Sequence, residues 1–191
     1  MIFKHLDTLD EAINACSEKI AEQINPFVEA VNHLDTIPGV DRKTAEVIIS
    51  EIGTDMSRFA SPQHLASWAG MCPGNNESAG KRKTGKTRKG SKWLRTTLVE
   101  AARAATHTKN TYLSSQYHRL VKRRGDKKAI VAVAHSILVI TYHLIKNKTE
   151  YQDLGADFFD HRNSEKLARR YLYGLQSLGY DTSKIEKHAI G

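Results

Sequence analysis

An apolar run in the second half of the chain most constrains what the protein can fold into. Residues 129–145 read AIVAVAHSILVITYHLI, a stretch of 17 residues that contains His135 and His143. A membrane span usually needs about 20 predominantly apolar residues, so this run is short and too polar for one. A helix that is apolar on every side is buried among other elements of a soluble domain. We therefore predict a buried central helix and no association with a membrane.

A second helical pattern lies near the N-terminus. Its spacings of three and four residues predict one amphipathic stripe close to a coiled-coil seam, and Pro26 predicts a kink in the helix. Two interpretations stay open: a helix packed on its own domain, or an intermolecular coiled coil that makes the protein a homo-oligomer. The apolar positions of the stripe are Leu9, Ile13, Cys16, Ile20, Ile24, Phe27, Val31 and Leu34.

Helix-capping residues divide the rest of the chain. Asp41, Ser61 and Ser91 each stand before a helical pattern, where a side-chain oxygen can accept from the free N–H groups of the first turn. Residues 71–90 have no helical period and predict a loop or a loose hairpin, and we find no convincing β-strand pattern. Helices are predicted over residues 41–52, 61–69, 92–107, 111–124, 127–146 and 164–178.

These patterns predict an all-α fold in three parts. Residues 1–33 form an amphipathic, coiled-coil-like helix. Residues 34–147 form a helical domain with a basic loop at 71–91, and residues 148–191 form a linker and a C-terminal helix.

The basic loop is the strongest functional signal. Its part between residues 81 and 95 carries eight Lys or Arg and no acid, as much positive charge as the net +8 of the whole chain. Glycines and threonines there let the backbone approach phosphates, so the segment favours nucleic acid over a merely solvated loop. A second cluster, at residues 119–128, is weaker. The eight cations are Lys81, Arg82, Lys83, Lys86, Arg88, Lys89, Lys92 and Arg95.

The turn Ile37-Pro38-Gly39-Val40 resembles a helix-hairpin-helix corner. In such a corner a glycine turn aims backbone N–H groups at a DNA phosphate, as a helix N-terminus does. Here Asp41 stands where a second glycine is usual, and its carboxylate would repel the phosphate. Phosphate contact at Gly39 and an ordinary helix–helix corner both stay open.

Ser78 precedes the cations, in the run Asn75-Asn76-Glu77-Ser78-Ala79-Gly80. A serine hydroxyl is a poor nucleophile unless its surroundings assist it, and nearby cations can stabilise a phosphoryl group under attack. The spacing alone favours an ordinary turn serine. Helix capping fully explains the competing Ser91.

No metal site is predicted. Cys16 and Cys72 have no zinc-binding spacing, and His135 and His143 are better explained as core or half-buried residues than as ligands. The first residues contain no apolar core of signal-peptide length, so the cytoplasm is the expected compartment.

Together, the motifs resemble the C-terminal transposase domain of the DEDD-type insertion-sequence transposases, which include the Piv-type invertases and the bridge-RNA-guided recombinases. The resemblance covers residues 34–159, roughly two thirds of the chain. Its pieces are IPGVDRKTAEVIISEIG, SRFASPQHLASWAG, CPGNNESAGKRKTGKTRKGSKWLR, LVEAARAA, KKAIVAVAHSILVITYHLI and YQDLGADFF.

This resemblance implies a function. Family members cut and rejoin DNA, and by position in the motif their nucleophilic serine falls on Ser78. DNA is the implied partner, and a guide RNA is a second candidate that would use the same loop. The family's Mg²⁺ is bound by an acidic tetrad in a RuvC-like N-terminal domain. Since Met1 falls in the coiled-coil region, we expect that domain to be absent, this chain to bind no cofactor, and recombination to need a partner that supplies the metal site.

Two other functions remain. A non-catalytic DNA- or RNA-binding module would use the basic loop without chemistry at Ser78. An oligomerisation module would associate through the N-terminal helix, with the charge serving solubility.

Overall fold

The structure is a computed structural model that describes residues 2–74, 76–162 and 164–181. Its regular secondary structure is almost entirely helical, which confirms the all-α class. Single turns of 3₁₀ helix cover Asn25–Phe27 and Met56–Arg58. The other elements are α1 Ile2–Ile24, α2 Val28–Asp35, α3 Arg42–Ile52, α4 Pro62–Trp68, β1 Asn76–Ser78, β2 Lys81–Thr84, α5 Lys92–His107, α6 Tyr112–Arg124, α7 Asp126–Asn147, α8 Phe158–Arg162 and α9 Ser164–Ser177.

Helix α7 is the centre of the fold. It contains the apolar run and packs against α2, α4, α5 and α6. Among the described residues it is the one helix long and apolar enough to cross a membrane, but 56% of its most apolar window is buried inside the protein. Burial among four neighbours accounts for its composition, and the prediction of a central helix is confirmed.

The predicted caps form in the structure. An Asp41 carboxylate oxygen accepts from the backbone N–H of Thr44 at 2.8 Å, and the Ser91 hydroxyl oxygen accepts from Leu94 N–H at 3.2 Å. Ser61 does the same for α4. Each cap satisfies an N–H group that the helix itself leaves unpaired, and this is why the helices begin where the sequence predicts.

The N-terminal stripe is broken at Pro26, as predicted. Helix α1 ends at Ile24, and α2 starts at Val28 beyond the 3₁₀ turn. Ile24 is the one buried side chain among those described in α1, while Phe3 is 81% and Ile13 60% exposed. Helix α1 therefore does not pack on its own domain. The coiled-coil interpretation stays a prediction, because the structure holds a single chain.

The segment after α7, predicted as a linker, packs against α6. The Asp153 carboxylate accepts from the N–H groups of Tyr112 and Gly155 and from the hydroxyl of Tyr151. Burial, with the neighbouring Asp153 carboxylate, raises the pKa of Tyr151, so its phenol stays a donor. Helix α9 matches the predicted C-terminal helix, and residues 182–191 of the predicted C-terminal part lie outside the described residues.

The corner between α2 and α3 lies against α5. Gly39 has φ +84°, and a Cβ atom there would overlap the Ala101 oxygen and the Ala105 nitrogen. Packing on α5 explains this glycine without a phosphate, and the helix-hairpin-helix detail is not confirmed. Phosphate contact at Gly39 stays a prediction.

We predict that Gly39→Ala destabilises the protein by about 3 kcal/mol or more, because it adds backbone overlap to a strained left-handed φ. Gly53→Ala is the matched control: φ is +70° there, and nothing lies within 4 Å of the added methyl group. It should cost about 1–3 kcal/mol from backbone strain alone, because φ +70° with ψ −173° is a combination that only glycine commonly adopts. Urea unfolding measures both, and equal losses would contradict the close packing of Gly39.

Candidate nucleic-acid interface

Strands β1 and β2 pair as a two-stranded antiparallel ribbon, and the described residues between 71 and 91 are here called the basic ribbon. Ser78 pairs with Lys81 and Glu77 with Arg82, and the register slips by one residue between Asn76 and Glu77. The loose-hairpin alternative is thus correct, and the finding of no strand pattern was wrong at this one place. Strands this short and this charged lack the apolar alternation by which a strand is recognised in a sequence.

The two strands are joined by the two-residue turn Ala79-Gly80. Both residues have positive φ, +50° for Ala79 and +72° for Gly80, the arrangement of a type I′ hairpin turn. Ala79 adopts a conformation that alanine disfavours by about 1–2 kcal/mol. The turn puts Ser78 at the end of β1, at the tip of the ribbon.

Ser78 and Lys81 lie on one face of the ribbon. Side chains directly opposite on paired strands share a face, and neighbours along a strand alternate. The Glu77 carboxylate therefore lies on the other face, away from the serine. Ser78 is exposed, and its hydroxyl has no hydrogen-bond partner within the described part of the chain. This arrangement leaves the hydroxyl open to a ligand beside a cation.

Most of the predicted cations are exposed along the ribbon and its exit. The side chains of Arg82 and Lys83 lie outside the described residues, although their backbone forms part of β2. Lys86 is also exposed. Four of the eight predicted cations have described, exposed side chains that form no ion pair with another described residue: Lys81, Arg88, Lys89 and Lys92.

Arg95 is placed differently from the other cations. Its guanidinium Nη1 donates to the Gly70 carbonyl at 3.1 Å and to the Thr87 hydroxyl at 2.8 Å. The half-buried Arg95 thus ties the end of α4 to the returning strand of the ribbon. This contact gives Arg95 a structural explanation that does not need a phosphate.

The base of the ribbon is fixed by close backbone contact. A Cβ atom on Gly90 would overlap the Ala69 carbonyl group, and one on Gly70 would lie 2.7 Å from Gly90 nitrogen. Ser91 donates to a Glu51 carboxylate oxygen at 2.7 Å, which joins the start of α5 to the end of α3. Sequence reasoning missed Glu51 and Thr87 as supports. Glu51 is 40 residues from Ser91, and no sequence pattern indicates that Arg95 turns back to Thr87.

The structure does not bring Gly39 to the ribbon. Gly39 contacts α5 at Ala101 and Ala105, whereas the ribbon joins α5 at Lys92. The rise of an α-helix separates Lys92 from Ala101 by about 14 Å. Hydrogen bonds from Thr44, side chain and backbone, lower the pKa of Asp41, so this carboxylate is charged at neutral pH and opposes a phosphate at the corner.

Within the described ranges, no three His, Cys, Asp or Glu side chains come together as a metal site. His135 Nε2 lies 4.0 Å from Cys72 Sγ, and no third donor joins the pair among those residues. Burial lowers the pKa of His135 and favours its neutral form. This placement is consistent with the prediction for His135, whereas His143 is exposed, so the prediction of a core or half-buried residue was wrong there.

Comparisons with known proteins match the part of the chain that contains the ribbon. Residues 31–119 match the family model of the IS116/IS110/IS902 transposases. The chain is 30% identical over 155 residues to the transposase for insertion sequence element IS1111A of Coxiella burnetii, covering 79% of this chain and 42% of that protein. It is 29% identical over 148 residues to the pilin gene-inverting protein of Moraxella bovis, covering 74% and 45%.

The region matched by the family model includes the α2–α3 corner, the ribbon, α5 and most of α6. The chain spans less than half the length of the curated relatives it matches. The family match and the two relatives agree with each other and with the motifs around Ser78. The chain belongs to the IS116/IS110/IS902 family of transposases.

Proposed function

We propose that this chain binds DNA through the basic ribbon and presents Ser78 as the nucleophile for DNA strand cleavage and exchange. One observation carries the proposal: Ser78 is exposed at the ribbon tip, directly across from Lys81. Farther along the chain lie the exposed cations Arg88, Lys89 and Lys92, none of which forms an ion pair with another described residue. Family membership makes DNA the expected substrate.

The proposed chemistry is a transesterification. The Ser78 oxygen bonds to a DNA phosphorus, the bond from phosphorus to one deoxyribose oxygen breaks, and the serine proton passes to that leaving oxygen or to solvent. The ammonium group of Lys81 would stabilise the charge that develops on the phosphoryl oxygens. Attack by a free DNA hydroxyl on the phosphoserine reverses the step and joins the new strand.

The reaction needs help from outside the described residues. A serine hydroxyl must be activated by a base, a metal or a charged environment, and no carboxylate or imidazole contacts Ser78 within the described ranges. In this proposal the catalytic site is completed by another domain or another protein, whose residues bind the Mg²⁺. A guide RNA would compete with DNA for the same ribbon.

A second copy of the chain is the proposed partner of α1. Its apolar stripe repeats every three or four residues and is exposed along the helix, with Ile20 at 49% and Ile13 at 60%. Two such stripes would cover each other in a coiled coil, since a helix with a heptad-like apolar seam usually pairs with another such helix. Pairing would bring two ribbons into one assembly.

Affinity for nucleic acid should fall steeply as the salt concentration rises, and the cations of the ribbon should cause most of this dependence. Neutralising Lys81, Arg82, Lys83, Arg88 and Lys89 lowers the formal net charge from +8 to +3. Each lost phosphate contact flattens the log–log salt slope on duplex DNA by about 0.9, so the slope should fall by several units. Fluorescence anisotropy with labelled duplex DNA measures it.

The matched control neutralises five other exposed cations and also lowers the net charge to +3. These residues lie at the α6–α7 corner: Lys122, Arg123, Arg124, Lys127 and Lys128. This variant should keep the slope to within about one unit. Equal flattening in both variants would show that general charge, and not the ribbon, attracts the DNA.

Ser78→Ala should abolish a covalent protein–DNA adduct. The assay incubates the chain with nicked DNA from the ends of the element, Mg²⁺ and a full-length family member, and mass spectrometry locates the adduct. Lys81→Ala should lower its yield about 10-fold or more, since one stabilising charge is removed. Glu77→Gln, on the opposite face, should leave the yield unchanged. An adduct that persists in Ser78→Ala would refute the assignment.

Replacing Ile13 and Ile20 by Asp should convert a dimer into a monomer, because charges would interrupt the seam. Thr8→Asp with Ala15→Asp adds the same charge on the opposite face of α1 and should preserve the dimer. Sedimentation equilibrium near 50 μM distinguishes the two. A monomeric wild-type chain at that concentration would contradict the proposed pairing.

A further inference from the structure

Trp93 is an exposed aromatic residue next to the basic ribbon. Its side chain is 75% exposed, and it has no ring or hydrogen-bond partner among the residues that the structure describes. The other tryptophan, Trp68, is 49% exposed and packs against Phe59 with ring centroids 5.7 Å apart. An exposed aromatic side chain beside a row of cations is the arrangement by which many proteins bind single-stranded nucleic acid.

The position of Trp93 is fixed by its neighbours in α5. Ser91 caps the helix and donates to Glu51, and the side chain of Leu94 is fully buried. The indole is therefore attached to a rigid backbone. Cα–Cβ bonds in a helix tilt toward its N-terminus, so the second residue of α5 directs its side chain toward the end of the helix at which the ribbon joins it.

The charge around Trp93 selects the kind of ligand. Arg88, Lys89 and Lys92 lie within the five residues that precede it, and all three are exposed. Cations beside an aromatic ring match a nucleic-acid strand, whose phosphates meet the charges while a base stacks on the ring. In a duplex the base faces are covered by their neighbours, so the ring needs a base that is unpaired and unstacked.

We propose that Trp93 stacks on an unpaired base of a DNA strand whose phosphates lie on the basic ribbon. The inference rests on the proposed function, because it needs DNA at the ribbon, and it adds a preference for locally opened DNA. A base held there would fix the position of the strand relative to Ser78. It also gives the ribbon an interaction that is not electrostatic and persists at high salt.

The test uses Trp68→Phe, which leaves Trp93 as the single tryptophan of a chain that has two. Single-stranded DNA should quench its emission, and an abasic oligonucleotide of equal length and charge should bind without quenching. Trp93→Ala should weaken single-stranded DNA binding by about 5- to 150-fold, equivalent to about 1–3 kcal/mol of stacking. It should leave abasic binding and the salt slope unchanged. Trp93→Phe should restore part of the affinity.

The results separate failure of this inference from failure of the proposed function. Two results, each with salt-dependent binding, would overturn this inference alone. In the first, abasic DNA quenches the Trp93 emission as much as ordinary single-stranded DNA does. In the second, Trp93→Ala weakens the binding of single-stranded and abasic DNA equally. Quenching by RNA but not by DNA would also overturn it. A change in emission with protein concentration and no DNA would assign Trp93 to contact between copies. Absence of binding to every oligonucleotide would overturn both.

Discussion

Burial of α7 is the constraint on which the rest of the structure depends. A helix of 22 residues that is apolar on most sides must be covered, and α2, α4, α5 and α6 cover it. Packing on α7 fixes the direction of α5. The start of α5 adjoins the end of the basic ribbon and carries Trp93. Gly39 permits the α2–α3 corner to contact α5 closely enough to complete this packing.

The basic ribbon follows a different principle. It contributes little to the core, so its geometry comes from its base, where Gly70 and Gly90 touch, Arg95 binds Thr87, and Ser91 binds Glu51. Beyond this base, the described part of the ribbon is organised by the Pro73–Thr87 bridge, by the hydrogen bond from Gly74 N–H to the Lys86 carbonyl, and by the short pairing of β1 and β2. Mutual repulsion between the cations is tolerated because the ribbon extends into solvent, where charges are hydrated and screened by salt. A polyanion would relieve that repulsion on binding.

The features that depend on local sequence were predictable, and those that depend on distant contacts were not. The central helix, the caps at Asp41 and Ser91 and the break at Pro26 follow from periodicity and from backbone groups within a few residues. The packing of Gly39 on α5 and the use of Arg95 inside the protein depend on neighbours brought close by the fold. The sequence left Gly39 open between a phosphate contact and an ordinary corner, and it predicted Arg95 only as a nucleic-acid contact. Ser78 was identified through family resemblance, since its spacing alone favoured a turn serine.

We propose that DNA lies on the basic ribbon and the adjoining start of α5. Amide hydrogen exchange, measured with and without saturating DNA at low salt, is the sharpest test of this placement, because it reports every segment of the same wild-type molecule. We expect slower exchange over residues 73–93 and little change in the exchange of α9 or of the α6–α7 corner. Slower exchange at that corner, with exchange in the ribbon unchanged, would refute the proposed placement.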